Sequence, residues 1–211
     1  VGELRATDSG EKAERRRQIL QSTNRLFERW SYTDVTIDRI ADLTGIAKGT
    51  LYLYFRTKET LFLSLYEEHL FSWYSELETL AARGTGSVEP AAAARVFAST
   101  LAVRSALVRL HGLIHSENGR NIDVATFVDF RHRQSRRMSS LASALAGRIA
   151  NLSTARALHF LVLLEAIVGG LSRAAFPPPP VSRAYGDDDL AVFGLDFEAE
   201  LTRIIAALLQ S

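Results

Sequence analysis

Proline placement constrains this chain more than any other feature. Of its five prolines, four are consecutive at Pro177–Pro180 and the fifth is Pro90, so long reaches hold no residue that breaks a helix. Apolar residues recur along those reaches with a period near 3.6, and no run keeps the alternation of two that a half-buried strand requires. The expected fold is all-α. With 211 residues there is room for one or two domains and an ample core. A composition of 47% apolar and 23% charged residues is that of a globular protein, not a disordered or fibrous one. The absence of cysteine excludes disulfides, thiolate metal sites and a cysteine nucleophile together.

The formal net charge of +1 conceals a division. Residues 11–58 carry 10 Lys and Arg against 6 Asp and Glu, whereas residues 59–211 carry 14 against 16, so the basic end is N-terminal. The first twenty residues are polar and charged, without the apolar core of a secretory signal. The longest apolar stretch, Ala157–Ser172, has 16 residues and carries His159 and Glu165. It is short of the roughly 20 residues needed to cross a bilayer, and reads as a buried helix with no membrane partner.

The apolar stripes delimit the helices. The first begins after Ser9 with Ile19, Thr23, Leu26, Phe27 and Trp30 on one face. Thr36 can cap a short second helix with Ile37, Ile40, Ala41 and Thr44 inward; Gly45 allows a tight turn, and a third helix follows over Ala47–Tyr54. Thr57 can cap a long helix, Lys58–Ala81, of about 36 Å. Beyond a glycine loop, one helix carries Val96, Thr100, Val103, Leu107, Leu110 and Ile114. Another, over Asp123–Ile149, carries Phe127, Phe130, Gln134, Met138, Leu141 and Leu145. The last two helices are Thr154–Ala175 and Asp196–Gln210, with the proline run and an acidic loop between them. The first of these two is apolar on nearly every side, which points to a subunit interface through Leu161, Leu164, Val168 and Leu171, joined by Leu201, Ile205 and Leu208 of the final helix.

A short helix, glycine turn and second short helix in the most basic part of the chain suit the major groove of DNA. Small residues opening the third helix permit close approach. Lys48 can reach a phosphate or guanine beside Gly49, and Thr50 offers a hydroxyl and a methyl. Tyr52 and Tyr54 can donate to phosphates, and the helix starts at Thr36 and Lys58 present free amides. The stretch Thr36–Leu61, TIDRIADLTGIAKGTLYLYFRTKETL, resembles the DNA-binding motif of TetR-family transcriptional regulators, and the resemblance extends over residues 13–65. It rests on Thr36, Ile40-Ala41, Gly45-Ile46, Gly49, Leu51-Tyr52, Phe55, Lys58-Glu59 and Leu61. Ala47 stands where a serine is frequent and Tyr54 where a histidine is frequent.

The resemblance implies a flexible arm over residues 1–10, a helix-turn-helix domain over 11–57, and a larger helical domain over 58–211 for ligand binding and dimerisation. It also implies a cytoplasmic homodimer on a palindromic double-stranded operator, released by a small-molecule effector, with no cofactor. Thr36, Lys48, Gly49, Thr50, Tyr52, Tyr54 and Lys58 are the expected DNA contacts. Candidates for the effector site are Trp73, Phe97, Arg104, His111, His115, Phe127, Phe130 and Gln134; the aromatics read first as core. His111 and His115, four apart on one helix, can share a metal, line a pocket or be structural; Gly112 rules out the zinc-protease pattern. Arg131, Arg133, Arg136 and Arg137 read as a solvated face. Nucleophile-elbow, phosphate-loop, dinucleotide and di-iron signatures are absent, so no enzyme is expected; a DNA-binding protein without a ligand, and after it a helical enzyme using the histidine pair, stand as the alternatives.

Overall fold

A computed structural model describes residues 2–115 and 121–210, with side chains from Gly10 onward apart from Pro179. Among these residues the regular elements are helical. The first helix, α1 (Gly2–Arg29), runs back through the expected arm instead of beginning after Ser9. Glu3–Ala6 are strong helix formers and no proline intervenes, so the Ser9-Gly10 pair lowers helix stability by only about 1 kcal/mol without ending it. Ile19, Thr23 and Phe27 are buried, but Trp30, one residue past the helix, leaves the stripe; it is 46% exposed beneath the Arg39 guanidinium.

Thr36 caps α2 (Ile37–Thr44), its Oγ1 accepting the Arg39 amide at 3.2 Å. Gly45 adopts φ 67°, the left-handed value that only glycine takes at little cost, and turns the chain into α3 (Lys48–Tyr54). Ile40, Leu51 and Phe55 close this head over Ile19, Leu20 and Phe27. Thr57 then caps α4 (Lys58–Arg83), whose inner face of Phe62, Tyr66, Leu70, Trp73 and Leu77 is buried along its length.

The stripe read as one helix from Val96 to Ile114 is two: α5 (Pro90–Ala102) and α6 (Ser105–Ile114), meeting at 85°. Val103 is 79% exposed at the corner, and Arg104 holds it by donating to the Thr100 carbonyl at 2.6 Å and pairing with Glu76 of α4. Period alone cannot reveal a break that a side chain makes by capturing a helix-end carbonyl. Next, α7 (Val124–Ala146) packs on α4, and α8 (Thr154–Ala175) packs on α6 and α7. The proline run, expected as loop, starts a short α9 (Pro179–Ala184), because proline's fixed φ and missing N–H suit a first turn. Finally α10 (Phe197–Gln210) lies along α5 and against α8.

By length and composition α8 could cross a membrane; here it is a core helix on one side only. Leu161, Leu164, Val168 and Leu171, with Leu201 and Ile205 of α10, are buried within the single chain, and Leu208 is half-buried. These residues, expected at a subunit interface, are already used by intramolecular packing. The opposite side of α8, including Val162, Ala166 and Gly170, is exposed.

Candidate nucleic-acid interface and effector cavity

On the head, α3 presents Lys48, Gly49, Tyr52 and Leu53 outward, with Thr50 half-buried. A Cβ built at Gly49 would meet nothing within 4 Å, so the protein's own packing does not demand glycine there. The open space faces outward. Lys48 pairs with Asp38 of α2 at 2.7 Å, an ion pair exposed on both sides that a phosphate can displace at little cost. Tyr52 is 43% exposed, and Tyr54 is half-buried beside Lys12 and Arg15 of α1. Leu53, outside the expected contact set, is 80% exposed on the same helix. Its signal was available: Gly49 and Leu53 lie four apart, hence on one face.

Lys58 is placed differently from the expectation. Its ammonium donates to the Tyr32 carbonyl and sits 4.0 Å from the Tyr32 ring centroid, while the Tyr32 hydroxyl donates to Glu59 at 3.0 Å. Burial lowers its pKa against the pull of Glu59 and Asp34. As the first residue of α4 it projects back toward the helix start, where the α1–α2 connection receives it. Lys58 thus fastens the head internally in this conformation. Thr36, expected at DNA through its helix start, is exposed with its hydroxyl engaged in capping.

The body holds a cavity of about 640 Å³ between α6, α7 and α8. It brings together His111, His115 and Gln134 from the expected set. His111 is the hub: its Nε2 donates to the Glu165 carbonyl at 2.7 Å and its Nδ1 accepts from the Tyr66 hydroxyl of α4 at 2.8 Å. A carbonyl can only accept, which fixes the neutral tautomer with hydrogen on Nε2. Burial first, then His115, Arg131 and Arg173, push its pKa down to about 3. At Gly169 the helix comes close, and a Cβ would stand 3.3 Å from His111 Nε2, a contact tight enough that the imidazole would have to shift by a few tenths of an ångström.

The Glu165 carboxylate receives the Tyr74 hydroxyl at 3.1 Å, the Gln134 amide, and Arg131 at 3.3 Å; Arg131 also donates to the Gln134 oxygen at 2.6 Å. Burial raises the Glu165 pKa, opposed by Arg131 and these hydrogen bonds. Arg131, read as part of a solvated face, therefore turns into the cavity over the Phe127 ring. Glu165 and Arg173 stand outside the expected effector set because each is an isolated charge on an apolar helix, and only packing shows which side it faces.

The remaining candidates lie elsewhere. Trp73 donates to Thr100 at 3.1 Å and meets Phe97 edge-on; Phe97 packs on Phe160, and Arg104 holds the α5–α6 corner. Phe130 is buried against Tyr66, and Phe127 is half-buried behind Arg131. Among the described residues no group of three or more His, Asp or Glu could hold a metal ion.

Residues 67–210 match the family model described as the tetracyclin repressor-like C-terminal domain, and residues 19–65 match that of bacterial regulatory proteins of the tetR family. A stretch of 57 residues is 39% identical to the uncharacterized HTH-type transcriptional regulator YerO of Bacillus subtilis, covering 27% of this chain and 20% of the relative. Another of 56 residues is 38% identical to the HTH-type transcriptional repressor Rv1474c of Mycobacterium tuberculosis, covering 26% and 30%. The chain thus matches less than a third of the length of either relative. Two solved structures are similar in fold. The Thermus thermophilus TetR-family repressor FadR, in complex with lauroyl-CoA, has TM-score 0.58 at 17% identity over 92% of this chain and 93% of the other. A putative TetR-family regulator from Mesorhizobium loti has TM-score 0.57 at 18% identity over 94% and 95%.

Proposed function

Since the chain belongs to the TetR family of bacterial transcriptional regulators, we propose that it is a cytoplasmic homodimeric repressor that binds a palindromic operator and is released by a small molecule bound in the α6–α8 cavity. The family and the curated relatives are regulators, not enzymes. In this reading α3 enters the major groove with Gly49 at closest approach. Lys48 exchanges Asp38 for a phosphate or guanine, Thr50 and Leu53 meet base edges, and Tyr52 and Tyr54 meet phosphates.

The observation that carries the reading is the double engagement of α6. Midway along it, Arg109 reaches the head, donating to the carbonyls of Phe27 and Trp30, both at 2.9 Å, with its guanidinium 4.1 Å from the Phe27 ring centroid. Two residues on, His111 enters the cavity and bonds Tyr66 of α4. A ligand that displaces α6 therefore acts on the end of α1 and on the helix leading from the head. A differential affinity of roughly 1–3 kcal/mol between the two arrangements is enough for a typical response.

For the dimer, one exposed apolar surface is the segment following α8, where Phe176, Val181, Val192 and Phe193 are exposed; a patch of that kind is characteristic of an interaction surface. Selection from random duplex DNA tests the reading. Enrichment of an inverted repeat with half-sites about 34 Å apart is expected, with Leu53→Asn changing the half-site selected. Failure of the folded, ligand-free protein to enrich any sequence would overturn it.

A further inference from the structure

The cavity's charges do not balance. Arg131 and Arg173 line it, and Glu165 is the one carboxylate among its described lining residues. Glu165 already receives Tyr74, Gln134 and Arg131. Arg173 is exposed and has no ion-pair or hydrogen-bond partner among the described residues, yet its charge is felt at both His111 and His115. The histidines add no charge near neutrality. His111 is held at about 3, and burial followed by Arg131 and Arg173 holds His115 at about 4. The described lining residues thus carry an excess of one positive charge. Away from it the walls are apolar: Met138 of α7, then Leu158, Val162 and Ala166 of α8. A volume of about 640 Å³ lies within the range of roughly 300–1,000 Å³ typical of small-ligand sites.

We propose that this cavity selects an amphipathic monoanion, a carboxylate on an apolar body, with the acid group on the unpartnered Arg173 and the body along Met138, Leu158 and Val162. A cation would face two guanidinium groups and a carboxylate already satisfied by three donors. A neutral ligand would leave the excess charge without a counterion. The guanidinium fork matches a carboxylate in shape as well as charge. The inference rests on the effector reading above for its regulatory meaning, but its test does not require DNA.

Thermal unfolding of the full chain with decanoate, decanol and decylammonium provides that test. Decanoate is expected to raise the melting temperature by about 5–10 °C at a hundredfold excess over its Kd, with decanol and decylammonium giving much smaller shifts. Arg173→Ala should weaken decanoate binding about 10- to 100-fold, the range for a lost charge-assisted hydrogen bond, while the unliganded melting temperature stays close to wild type because Arg173 pairs with no carboxylate among the described residues. Arg173→Glu should reverse the order in favour of decylammonium. Equal shifts from all three compounds, no shift from decanoate, or a decanoate shift indifferent to Arg173 would each overturn the proposal. If decanoate binds through Arg173 yet leaves operator affinity unchanged, the ligand class stands and the effector reading falls.

Discussion

At the scale of single residues, Gly49 and Lys58 separate surface function from internal support. Gly49 has open space where a Cβ would go, so Gly49→Ala costs the fold nothing in packing and gains up to about 1 kcal/mol of helix propensity. Its melting temperature should be equal to or above wild type, while operator affinity falls at least tenfold if the DNA backbone approaches α3 closely. An unchanged affinity would remove Gly49 from the interface. Lys58→Ala should do the opposite. Losing the bond to the Tyr32 carbonyl destabilises the head by about 1–3 kcal/mol, and the slope of log K against log salt stays at the wild-type value. A slope shallower by about one would return Lys58 to a phosphate. Both residues sit at the spacing of the DNA-binding motif. The pattern places them at the two helices without distinguishing a position open to the outside from a side chain folded back onto Tyr32.

Among the elements, α6 joins the two halves of the account. Arg109→Ala removes its hold on the carbonyls of Phe27 and Trp30 while leaving His111 in the cavity. The variant should bind ligand with nearly wild-type affinity, and the ligand-induced change in operator Kd should shrink several-fold. Full retention of that change would place the coupling in α4 alone. Helix ends written in local chemistry were readable from the chain: the Thr36 and Thr57 caps, the Gly45 turn, and all of α8 from Thr154 to Ala175. The α5–α6 corner was not, because it depends on Arg104 reaching Glu76, 28 residues away in sequence. For the same reason the cavity was half readable. His111, His115 and Gln134 stand out as polar residues on or beside apolar stripes, whereas Arg131, Glu165 and Arg173 acquire their meaning only when α7 and α8 are side by side.

For the whole molecule, the buried network makes stability depend on pH. His111 has a folded-state pKa of about 3 against an ordinary 6.5, so the unfolded chain takes up its proton first. Its contribution is complete above about pH 6.5 and is lost as pH falls toward 3; at pH 5 the loss is about 2 kcal/mol. His115 acts with the same sign. Urea unfolding at pH 7 and pH 5 should show a larger drop for wild type than for His111→Gln, and equal drops would place His111 outside the network. That network also joins the cavity to the DNA head through Tyr66 and, along α6, through Arg109. The most direct test of this connection is the operator Kd of the full-length protein with and without saturating decanoate. The Kd is expected to be about 5- to 150-fold weaker with ligand, the range of ordinary allosteric coupling. A Kd unchanged by a ligand shown to occupy the cavity would contradict it.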